Sequence, residues 1–103
     1  MSVVVTAIFH PIEGRRAELV KALQASIPAV HRERGCTLYA IHDAEDDTIT
    51  MIEKWDSRED LRAHAEGAAV AALQAATAGL MTQPATVTTM TPIPAGTAEQ
   101  GEL

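Results

Sequence analysis

Aromatic side chains are nearly missing from this 103-residue chain: Phe9, Tyr39 and Trp55 are the whole set. The interior must therefore be built from Val, Ile, Leu, Met and Ala, and alanine-rich helices bury little area each. That shortfall favours extra burial against a partner subunit. Cys36 is the single cysteine, which excludes an internal disulfide framework and fits a reducing, cytoplasmic setting. Asparagine is absent altogether. No apolar run approaches the ~20 residues that span a bilayer. No basic run exceeds Arg15-Arg16, and the net charge is −6. Neither a membrane nor a nucleic acid is expected as a partner, because both anionic surfaces call for a cationic footprint. Residues 3–9 are apolar but lack a basic leader and a small-residue cleavage site, so they read as a strand and not as a signal peptide.

Chemical fingerprints are equally sparse. The histidines at positions 10, 31, 42 and 64 show no HxH or HxxxH spacing and no CxxC accompanies them, so no metal is expected. G-x-S-x-G, Walker and Gly-rich dinucleotide motifs are missing as well, and no cofactor is expected.

What is present is a regular alternation of elements. Residues 3–10 are β-branched and apolar until Pro11 and Gly14 stop them. Residues 15–34 carry Leu19, Leu23, Ile27 and Val30 at helical spacing, with Gly35 available as a left-handed cap. Pro28 removes a backbone donor inside that helix, so a kink or a break near Gln24 to Ile27 is expected. Residues 36–43 and 48–55 read as strands joined by the polar turn Asp43-Ala44-Glu45-Asp46-Asp47. Ser57 is a suitable N-cap for a helix from Arg58, which Gly67 interrupts. An alanine-rich segment follows, with Val70, Leu73, Thr77 and Leu80 on one stripe, and then a threonine-rich strand over 85–91.

The order βαββαβ predicts an α+β, ferredoxin-like domain over residues 1–92: a four-stranded antiparallel sheet with helices on one face. The other face needs a cover, and a second copy of the chain is the expected one, as a dimeric α/β barrel. Residues 93–103 hold Pro, Gly and acids and are expected to be a flexible tail or an arm laid on a partner.

Five residues stand out for chemistry. His64 lies one turn beyond Leu61, on or beside the stripe that faces the sheet, and is the natural proton carrier of the set. A structural histidine bonded to a backbone carbonyl is the plainer reading, and both stay open. Glu53 shares a strand face with Ile49, Met51 and Trp55, where a carboxylate needs a partner. It could fix a dimer seam or orient a substrate hydroxyl. Trp55 and Phe9 suit the wall of a pocket for a flat ring, and Tyr39, on a face with Ile41 and Thr37, could donate to a substrate oxygen. Cys36 is expected to be a small buried thiol.

The run Glu33-x-Gly35-Cys36-x-x-Tyr39, the pair Glu53-x-Trp55, and Ser57 to His64 with Leu61 between resemble the antibiotic biosynthesis monooxygenase family over roughly residues 3–92, in particular its quinol monooxygenase branch. Arg34 stands where that family commonly has proline. The resemblance implies a homodimer that oxidises a quinol or related aromatic or polyketide phenol with O2, without metal or flavin. It implies His64 as base or proton shuttle, and Trp55, Tyr39, Phe9 and Glu53 as substrate-binding residues. Haem-degrading relatives depend on an Asn-Trp-His set, which a chain without asparagine does not supply, and some polyketide-oxidising relatives also use an asparagine. Two other readings remain: a non-catalytic ligand-binding or stress-related dimer of the same fold, and an isomerase or cyclase that needs no oxygen.

Overall fold

A computed structural model describes residues 2–103. Its elements run β1 (Val3–Phe9), α1 (Arg16–His31), β2 (Cys36–Asp43), β3 (Ile49–Trp55), α2 (Arg58–Ala65), α3 (Ala68–Thr77) and β4 (Thr86–Met90), with a 3-10 turn at Ala78–Leu80 after α3. The sheet order is β2-β3-β1-β4 and the pairings are antiparallel, which is the expected ferredoxin-like arrangement. The second helical segment is split at Gly67 into α2 and α3.

Alternation along the strands decides the layers. Val3, Val5, Ala7 and Phe9 of β1 are buried, as are Ile49, Met51, Glu53 and Trp55 of β3. Leu19, Leu23 and Val30 of α1 and Leu73 of α3 close this face into one core. Each such side chain contributes about 1.5–3 kcal/mol by leaving water. On the opposite face, Thr6, Ile8, Leu38, Ala40 and Ile52 are only half-buried. Two layers make a thin molecule, 42 × 30 × 19 Å.

The break expected at Pro28 does not occur. α1 runs unbroken from Arg16 to His31, because Pro28 lies in the last turn, where one missing donor costs a single bond. Gly35 is left-handed, at φ 80°, but it turns the chain into β2 after the helix has ended at His31. A Cβ there would collide with the Asp60 carboxylate of α2. The grouping of Thr37 with Tyr39 also fails. A register shift between Cys36 and Leu38 places Cys36 opposite Trp55 and leaves Thr37 exposed, donating to the Lys54 carbonyl at 3.0 Å. Beyond β4, residues 93–103 form neither helix nor strand. The Gly101 and Gln100 amides donate back to the Thr97 carbonyl, and Ile93 is 87% exposed.

Candidate active site

His64 is carried to the sheet by α2, whose start is set locally: the Ser57 hydroxyl accepts from the Asp60 amide at 3.1 Å. Two turns later the imidazole is 5% exposed. It lies on the Trp55 indole with ring centroids 4.5 Å apart, and Tyr39 meets it edge-on at 5.4 Å. Its Nδ1 is 2.6 Å from Glu33 Oε1. A carboxylate only accepts, so Nδ1 carries the proton in this pair, and in the neutral imidazole Nε2 is then the lone-pair nitrogen. Nε2 has no hydrogen-bond partner among the described residues, and no sealed side-chain nitrogen or oxygen among them lacks one. Nε2 therefore opens to free volume.

His64 lines a cavity of about 890 Å³ between the sheet and the α2–α3 layer. Its walls are mainly apolar, from Val5, Ala7 and Phe9 on the sheet to Leu61, Leu73 and Met81 opposite. His64, Tyr39, Glu53 and Thr77 are the buried polar residues that line it. Tyr39 and Glu53 face each other in register across β2 and β3.

Glu53 finds its partner on its own strand: the Trp55 indole N–H donates to Oε1 at 2.9 Å. Burial pushes the Glu53 carboxyl above its ordinary range, against the opposing pull of that N–H and of His64. Burial, reinforced by Glu53 and Glu33, also raises the Tyr39 phenol, so it stays a proton donor. The Cys36 thiol is half-buried and likewise raised, first by burial and then by Glu33 and Glu53, which keeps it a poor nucleophile.

Four of the five residues singled out in the sequence, Phe9, Tyr39, Glu53 and His64, thus border one cavity. Trp55 does not reach it; it is fully buried and supports the imidazole from behind. Glu33 was not singled out for chemistry. The signal was its place in the run with Gly35 and Cys36, but 31 residues separate it from His64 and only the fold joins them. His31 binds the Tyr39 carbonyl at 3.1 Å, which ties the end of α1 to β2. His10 and His42 stay outside the cavity, bonded to Thr86 and the Thr50 carbonyl. No cluster of three or more His, Cys, Asp or Glu side chains suited to a metal ion exists among the described residues.

The family model for antibiotic biosynthesis monooxygenase matches residues 1–76, from β1 through almost all of α3. The chain belongs to the antibiotic biosynthesis monooxygenase family. Among solved structures it is similar to Rv0793 of Mycobacterium tuberculosis, at 28% identity and a TM-score of 0.84, over 94% of this chain and 100% of that one. Protein SO0527 of Shewanella oneidensis is 26% identical with a TM-score of 0.77, over 86% and 88% of the two chains. A conserved protein of Methanosarcina mazei, at 15% identity, covers 87% of this chain and 91% of its own with a TM-score of 0.81, which speaks for the fold alone. Comparison with curated proteins gives no match. In this member of the antibiotic biosynthesis monooxygenase family, the residues that carry the resemblance at Glu33, Tyr39, Glu53, Trp55 and His64 gather into one connected set.

Proposed function

We propose that the protein is a cofactor-independent monooxygenase that oxidises a quinol or related aromatic or polyketide phenol with O2. The observation that carries this reading is His64, held at Nδ1 by Glu33 and lining a large apolar cavity. His64 accepts the phenolic proton, and Tyr39 donates to a neighbouring substrate oxygen. The resulting anion gives one electron to O2, and recombination forms a carbon–oxygen bond. Protonated His64 returns its proton to the peroxide. It then takes the hydrogen on the same carbon as the O–O bond breaks, and passes it to the departing hydroxide. Quinol and O2 become hydroxyquinone and water. Apolar walls serve this by excluding water from the anion and its radical partner.

Oxygen uptake with a panel of reduced quinols, measured against an enzyme-free blank, tests the reading. Uptake should exceed the blank, and His64→Ala and His64→Gln should each lower it by about tenfold or more, the range expected for loss of a general base. Unchanged uptake in both variants rules out His64 as the base. Uptake equal to the blank throughout favours the ligand-binding alternative.

The same reading takes the protein as a cytoplasmic homodimer, with residues 1–92 as its working domain and the tail as a flexible end or an arm laid on the partner. Support comes from the half-buried apolar sheet face and from Ile93, exposed on a segment with little else to bury it.

A further inference from the structure

The cavity is apolar along its length but not at its rim. Arg58 and Arg62, one turn apart on the same stripe of α2, both line it. Arg15, Arg16 and Arg34 each face a carboxylate. Arg58 and Arg62 face none among the described residues. Arg58 is instead held at the end of β4, where its guanidinium donates to Thr91 Oγ1 at 3.1 Å. In a chain of net charge −6, the charged lining of this cavity is two arginines without a salt-bridge partner and one carboxylate, that of Glu53. Low-dielectric walls focus such a field onto whatever enters. His64 stands on the same helix, six residues after Arg58 and two after Arg62, and lines the same cavity.

We infer that the pocket takes an aromatic phenol that bears a carboxylate, with the carboxylate at Arg58 and Arg62 and the hydroxyl at His64. The inference rests on reading this cavity as the reaction pocket, and adds the charge and the orientation of its substrate. Planar guanidinium forks match a carboxylate, and their position at the wet rim spares the anion full desolvation. The fused or linked ring then lies along Val5, Ala7, Phe9 and Leu73. A neutral quinol would leave both arginines idle and would lack a feature that chooses which end enters first.

Binding under argon separates this inference from the reaction. The probes are 6-hydroxy-2-naphthoate, whose hydroxyl and carboxylate stand at opposite ends of the ring system, and its methyl ester. Wild-type protein should bind the acid about tenfold more tightly than the ester, and added salt should shrink the preference. Arg58→Gln with Arg62→Gln should weaken acid binding about tenfold and so abolish the preference. Both side chains are exposed, so the double variant should keep its circular dichroism and melting temperature. Equal binding of acid and ester by wild type, or a preference that survives the double substitution, overturns the inference. If the preference behaves as expected but no phenolic acid drives oxygen uptake, the anion site stands and the oxygenase reading falls. If neutral quinols are turned over while the acid gains nothing, the reverse holds.

Discussion

Glu53 is the residue whose energetics can be read most directly. Its carboxyl is raised above the ordinary 4.5, chiefly by burial. A carboxyl raised on folding holds its proton more tightly in the folded chain, so its contribution to stability is full below the ordinary value. That contribution is lost as pH rises through the folded value. Glu53→Gln keeps an oxygen for the Trp55 indole but cannot ionise. The melting temperature of the variant should therefore gain on wild type as pH is raised from about 4.5 to 7, and a variant that loses ground to wild type over that window would refute the assignment. Asp46 works the other way: fully exposed and lowered by its Thr48 partners, it adds stability that disappears only in acid, in both proteins alike. Glu33 has a different task. As the acceptor for His64 Nδ1 it selects the tautomer, so nitrogen NMR should report protonated Nδ1 in neutral His64 and a mixture in Glu33→Gln. A mixture already present in wild type would remove Glu33 as the orienting group.

Helix α1 tolerates Pro28 because the proline comes one turn before the end and its side chain is exposed. Pro28→Ala restores a donor to the Gln24 carbonyl and removes a poor helix former, while the unfolded chain regains some freedom. The net effect should be a gain of about 1–2 kcal/mol in urea unfolding, and a loss would mean that the proline shapes the joint to β2. That joint is tight. Gly35 is left-handed and lies against Asp60, so Gly35→Ala should cost at least ~1–2 kcal/mol. A neutral effect would show that α2 moves aside freely. The close approach has a consequence for the site, since it brings the end of α1, with Glu33, against the helix that carries His64.

At the scale of the whole molecule, the second face of the sheet calls for a cover. Val4, Ile8, Leu38, Ala40 and Ile52 share it with Thr6 and Thr50, and alternation assigns them there. If a second copy covers this face, light scattering should give a mass near twice 11.0 kDa. Ile52→Asp, which places a charge at the centre of that face, should return it to one. A monomer in the wild type would leave the face to another partner. The cavity itself lies on the opposite side of the sheet, under α2 and α3, so a monomeric variant should still bind the naphthoate probe.

How much of this was legible beforehand follows from the range of each signal. Strand alternation, helical stripes and the Ser57 cap act over a few residues, so the βαββαβ order and the buried faces of β1 and β3 could be derived from the chain alone. His64 and Glu53 were identified because a histidine and a carboxylate beside apolar stripes are costly unless they are used or paired. The bulge at Cys36 was not legible, since a one-residue register shift is decided by pairing with β3 and leaves no local mark. Nor were the partners. That Trp55 binds Glu53 and backs the imidazole, that Glu33 reaches across 31 residues to Nδ1, and that Arg58 and Arg62 share an opening with His64 all depend on how two helices settle on one sheet. Sequence determines which surfaces must be buried; only packing decides which polar groups meet when they are.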